Sequence, residues 1–109
     1  MPLLILVGQS RKPIILSTGA SNISEIKEAI SWIEKKNVPV AILHCILNYP
    51  TPYNHANLGM IRDLINNFPN NVVGYSDHTL GIDAALLSVS IGARVIEKHF
   101  TINKNFGLS

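Results

Sequence analysis

The chain holds one cysteine, Cys45. That excludes a disulfide framework and any zinc site built on cysteine pairs. A reducing, cytoplasmic setting is the default expectation. Charge is scarce: Asp, Glu, Lys and Arg make up 15% of the residues, against about 25% in ordinary soluble chains. Hydrophobic residues make up 47%, and the mean hydropathy is +0.24. Disorder is therefore excluded, and burial on more than one side is expected. An excess of one sign is lacking too. Nine basic residues against seven acidic ones leave a net charge of +2, too little to point to nucleic acid or a membrane surface.

Long apolar runs are also missing. Leu3–Val7 is short, follows no positive charge and precedes no small-residue cleavage pattern, so it is a poor signal peptide. The stretch from Leu80 to Ile96 contains Asp83, Ser88, Ser90 and Arg94, and is a poor membrane span. Both read as buried core. No low-complexity tract, charge block or linker interrupts the chain. Its 109 residues suit one domain.

What is present is alternation. Pro13–Ser17 is a short apolar run that ends at Thr18-Gly19, as a buried strand would. Asn22 with Glu25 three residues on makes a capping box. Ile23, Ile26, Ala29, Ile30 and Ile33 then mark an amphipathic helix ending near Asn37. Val38–Cys45 reads as a second strand, and Asn48–Asn54, with its two prolines, as a loop. Leu58, Ile61, Leu64, Ile65 and Phe68 mark a second helix. Val72–Ser76 is a third strand. Leu80–Ile91, apolar nearly all round, reads as a buried helix stopped by Gly92. Arg94–Phe100 is a fourth strand.

The order is βαβαβαβ, an α/β pattern that implies a parallel sheet with right-handed crossovers. The unit recurs about every 27 residues, the rhythm of a (β/α)8 barrel of ~250 residues. Four strands cannot close such a barrel. The alternatives are a small open sheet or about half of a barrel.

Each strand ends in polar groups: Ser17-Thr18-Gly19, His44-Cys45, Ser76-Asp77-His78-Thr79 and Glu97-Lys98-His99. In parallel α/β folds ligands bind at that edge. Strand alternation puts Ser76 with His78 and Glu97 with His99, while Asp77 and Lys98 lean toward the helix layer. Neighbouring third and fourth strands would let His78 and His99 approach and hold a divalent transition metal with positions left open. A Ser-Thr-Gly loop before a helix suits a phosphate. Structural roles compete with each of these. Ser17 could be a helix-entry residue, Glu97 and Lys98 could pair with surface groups, and His44 could be a satisfied strand-end histidine. His55 reads as solvated, and Cys45 as an ordinary small buried residue. Composition and spacing alone support an α/β unit with a candidate anion or metal site at one rim.

At the same strand ends the segments KPIILSTGAS (Lys12–Ser21), LHCILNYPTPY (Leu43–Tyr53), VGYSDHTLGI (Val73–Ile82) and GARVIEKHFT (Gly92–Thr101) occur in order. Together they resemble the N-acetylneuraminate (sialic acid) synthase family, including the legionaminic acid synthases, over residues 12–104. The resemblance implies a (β/α)8 TIM barrel, usually followed by an antifreeze-like domain. It implies a transferase that condenses phosphoenolpyruvate with N-acetylmannosamine, or a related 2-acetamido sugar, to a sialic acid and phosphate. It implies a divalent cofactor, commonly manganese or magnesium, held by the histidines that match His78 and His99. Ser17 and Ser76 match the serines that contact the phosphate of phosphoenolpyruvate, and Tyr49 matches a tyrosine on the sugar side. Members often carry serine or asparagine two positions before that tyrosine. Here the chain departs from that pattern: Leu47 stands there and Asn48 follows, and Asn48 is the candidate for a phosphoenolpyruvate contact. Glu97, on the His99 face, is placed to orient a metal-bound water or the second ligand shell.

The family's early barrel strands and its antifreeze-like domain have no counterpart. Residues 1–109 are therefore expected to form a partial barrel domain, a fragment that is catalytically inert alone or that pairs its bare edges in a homo-oligomer. A small open-sheet phosphate-binding module is the remaining reading.

Overall fold

The computed structural model describes residues 2–105. Helix α1 (Pro2–Gln9) leads into β1 (Ile14–Ser17), α2 (Ile23–Glu34), β2 (Val40–His44), α3 (Gly59–Asn67), β3 (Val72–Asp77), α4 (Asp83–Ile91) and β4 (Ile96–Lys98). A short 3-10 turn, Tyr53–His55, lies between β2 and α3. The strands are parallel and stand in sequential order, β1-β2-β3-β4. Right-handed crossovers in a sequentially ordered parallel sheet all fall on one face. The helices therefore cover one side and the strands line the other, which is half of a (β/α)8 barrel.

The core lies between sheet and helices. Ile14, Ile42, Val73 and Tyr75 from the strands meet Ile26, Ile30 and Ile33 of α2 and Ile61 and Leu64 of α3. The expected capping box starts α2: the Glu25 amide donates to the Asn22 side chain at 3.0 Å, and the Asn22 amide donates to Glu25 at 2.8 Å. Gly92, at φ +122°, ends α4 with a Schellman pair of bonds, Ala93 N–H to Ser88 O and Gly92 N–H to Val89 O. On the opposite face of the sheet Ile15 is exposed, where a closed barrel would have its interior.

Two expectations of burial fail. The N-terminal apolar run forms a helix, α1, packed on α2, with Leu3 and Leu6 outside. Helix α4 is not buried all round. Its inner stripe is Ala84, Ser88 and Ile91, small enough to sit close to the sheet, while Leu86, Leu87 and Val89 face outward. It also begins later than Leu80, because Gly81 sits at φ +75° and breaks the helical path. The fourth strand is shorter than Arg94–Phe100 and all three of its residues are exposed, because among the described residues it has a hydrogen-bonded neighbour on one side only. Phe100 projects outward.

Candidate functional site

The strand ends converge on one rim. Ser76 pairs with Glu97 across β3 and β4, and the Ser76 hydroxyl donates to Glu97 Oε1 at 2.6 Å. His78 follows on the same face, with Nε2 at 3.2 Å from Ser76 Oγ. Its other nitrogen, Nδ1, is 2.6 Å from the Ile46 carbonyl. A carbonyl only accepts, so Nδ1 carries the proton. In the neutral ring the Nε2 lone pair faces Ser76 Oγ, whose single proton is shared between Glu97 and this nitrogen.

The His99 ring lies 5.4 Å from His78, centroid to centroid, nearly edge-on. Tyr49 covers both imidazoles, 4.1 Å from His78 and 5.3 Å from His99. The loop that presents Tyr49 is braced at several points. The Tyr49–Pro50 peptide is cis. The buried Thr51 donates its amide to the His78 carbonyl at 2.8 Å and its hydroxyl to the Asn48 carbonyl at 2.7 Å. Tyr53 donates its hydroxyl to the Leu80 carbonyl. His44 Nε2–H donates to the Ala56 carbonyl at 2.9 Å and closes the far end of the loop.

The helix-side face of the same strand ends carries a second network. Asp77, with a fully buried side chain, accepts Lys98 Nζ at 2.7 Å. Its other oxygen accepts the Thr79 amide and hydroxyl, at 2.8 and 2.7 Å. Burial alone would raise the Asp77 pKa. The bonds from Lys98 and Thr79 outweigh it and hold the carboxyl below its ordinary value.

Five residues singled out from the sequence thus meet: Tyr49, Ser76, His78, Glu97 and His99. Two stand apart from them. Ser17 is exposed at the end of β1, with β2 between it and β3 and Gly74 level with it through Leu43, which puts it roughly 12 Å from Ser76 by strand spacing and rise. Asn48 enters the loop bonding through its main chain. Thr51 and the Ile46 carbonyl were not anticipated. Nothing in composition marks a carbonyl that selects a tautomer, although the Pro50-Thr51-Pro52 run does mark a rigid loop. Among the described residues no group of three or more His, Cys, Asp or Glu gathers as a complete metal cage. The donor set still fits a divalent ion with open positions: two imidazoles side by side, one of them held through Nδ1 by a main-chain carbonyl so that Nε2 is its donor atom.

A family model described as the NeuB family matches residues 1–108. The chain belongs to the NeuB family. It is 54% identical over 105 residues to an uncharacterized protein of Methanocaldococcus jannaschii, a match covering 95% of this chain and 31% of the relative. It is 45% identical over 108 residues to an N,N'-diacetyllegionaminic acid synthase of Campylobacter jejuni, covering 96% of this chain and 32% of the relative. The solved N-acetylneuraminic acid (sialic acid) synthetase of Leptospira borgpetersenii, in complex with citrate, superposes with a TM-score of 0.89 at 41% identity, over 94% of this chain and 35% of that one. This NeuB-family chain spans about a third of the length of these relatives. Its relatives include synthases of sialic-acid type, and its half-barrel matches theirs.

Proposed function

We propose that this chain supplies the rim of an enzyme that condenses phosphoenolpyruvate with N-acetylmannosamine or a related 2-acetamido sugar, releasing phosphate and a sialic-type acid. The observation that carries the reading is His78, whose Nδ1 is bonded to the Ile46 carbonyl and whose Nε2 lies against Ser76, with the His99 ring 5.4 Å away. In this reading His78 and His99 hold a manganese or magnesium ion. When bound, that ion supplies Lewis acidity to the carbonyl oxygen of the open-chain sugar.

The chain's own groups do the rest. Ser17, at the end of β1, and Ser76, once its hydroxyl turns from Glu97, bind the phosphate from two sides, and Asn48 reaches it from the Tyr49 loop. Tyr49, lying over both imidazoles, packs against the sugar and excludes water. C3 of phosphoenolpyruvate then attacks the aldehyde carbon. Glu97 holds the Ser76 hydroxyl through one oxygen until the phosphate takes it. Its other oxygen orients the water that adds at C2 before phosphate leaves.

The test is phosphate release from phosphoenolpyruvate with N-acetylmannosamine and manganese. We expect release to stop on chelation, to return with manganese, and to be lost in His78→Ala and His99→Ala. Release that persists through chelation would sink the reading. Running a 2,4-diacetamido sugar alongside N-acetylmannosamine distinguishes a legionaminic-type substrate. A second reading follows from the four strands, which form only one arc of a rim: the chain alone binds the ion and turns nothing over. Manganese binding without phosphate release is its signature.

A further inference from the structure

Strand β4 is three residues long and is held by β3 alone among the described strands. The register sets Ser76 opposite Glu97 and Asp77 opposite Lys98. Each pair is joined by one short side-chain bond, the first on the concave face and the second on the helix side. The next residue on each strand end is a histidine, His78 or His99.

The outer pair is built for fixed geometry. Lys98 and Thr79 make the short bonds to the Asp77 carboxylate, and the buried Tyr75 hydroxyl lies beside it. Lys98 Nζ donates a second time, to the Thr79 carbonyl at 2.7 Å. The Asp77–Thr79 bend, with His78 at its centre, is thereby closed around one buried carboxylate. The residue before His99 is docked on that bend at two points. Packing alone does not call for these charges. The same face of β3 carries Val73 and Tyr75 in the apolar core; Asp77 is fully buried while Lys98 is a third exposed, and replacing an ion pair with a buried member by apolar side chains is often neutral for stability. What an apolar pair would lack is direction.

We propose that Asp77 and Lys98 are positioning residues whose ion pair sets the separation and orientation of His78 and His99. The inference deepens the reading of those histidines as metal ligands and rests on it. Its test is manganese binding, followed by loss of the aqueous ion's paramagnetic resonance signal, together with thermal melting of each protein. The proteins are the native one, His99→Ala, Lys98→Arg and the double variant Asp77→Leu/Lys98→Met.

We expect the double variant to melt near the native temperature yet bind manganese about tenfold more weakly or worse, the cost typical of lost ligand-orienting partners. Lys98→Arg, which keeps the pair, should stay close to native. Native-like affinity in the double variant, with affinity lost in His99→Ala, overturns the positioning role and leaves the metal reading standing. Native-like affinity in His99→Ala overturns the metal reading and the positioning role with it. Should the double variant fail to fold, Lys98→Met, which removes the bonds to Asp77 and to the Thr79 carbonyl but leaves Asp77 its Thr79 partners, is judged by the same criterion.

Discussion

Two imidazoles at neighbouring strand ends meet opposite surroundings. His78 lies at the rim, half-buried, while His44 points into the helix-side core and stacks at 5.7 Å on Tyr75. Burial drives the His44 pKa down, and the bond to the Ala56 carbonyl restores only part of it. A histidine whose folded pKa lies below its unfolded one leaves the unfolded chain holding more protons, so stability rises with pH. The native state should therefore lose stability as pH falls below about 6.5, the unfolded histidine value, with about 1.4 kcal/mol lost per unit of pKa separation. Urea midpoints measured between pH 7.5 and 5 test this. His44→Gln, which keeps a donor for the Ala56 carbonyl, should flatten the slope. An equally steep slope in that variant would place the acid sensitivity elsewhere.

At the scale of elements, the β3–β4 junction depends on a glycine. A Cβ on Gly74 would stand 2.3 Å from the Val95 carbonyl oxygen and 2.6 Å from the Leu43 side chain. That same carbonyl accepts the Tyr75 amide at 2.8 Å. Gly74→Ala must push β4 away from β3, and overpacking of this kind costs about 1–3 kcal/mol. The register that joins Ser76 to Glu97 and Asp77 to Lys98 should suffer first. A lower melting point, with hydrogen-exchange protection lost at Ile96–Lys98 before α2, would report it; uniform loss across the chain would contradict it.

The same elements show what is legible in sequence. The Asn22–Glu25 box, the α2 and α3 stripes and the four strand positions are local patterns, and each produced its element. The pairing of Ser76 with His78 and of Glu97 with His99 followed from period-two alternation, and it survives in the fold. The faces of α1 and α4 were not legible. Their apolar residues run nearly all round, so the sequence marks no single side, and the covering partner is not encoded within either helix. The partners of Asp77 were missed for a similar reason: alternation gives a direction, but the Lys98 contact depends on the β3–β4 register, which is a tertiary fact.

At the scale of the molecule, both outer strands offer an unpaired edge among the described residues, and the first and last helices each carry exposed apolar residues. Leu86 and Val89 lie three apart on one face of α4, and Leu3 and Leu6 lie three apart on α1. Parallel edges and apolar patches of this size are aggregation or docking surfaces unless something covers them. The 109-residue chain studied alone should therefore associate as its concentration rises. Burying one leucine-sized side chain is worth about 1.5–3 kcal/mol. Converting Leu86 and Val89 to lysine removes two such contributions, and about 1.4 kcal/mol is tenfold in an equilibrium constant. The variant's association should thus weaken by at least two orders of magnitude, without loss of α4, whose own contacts with the sheet run through Ala84, Ser88 and Ile91 on the other face. Sedimentation across a hundredfold dilution separates the outcomes. Unchanged association in the lysine variant would move the contact to the β1 and β4 edges, where backbone pairing rather than apolar area would have to hold the copies together.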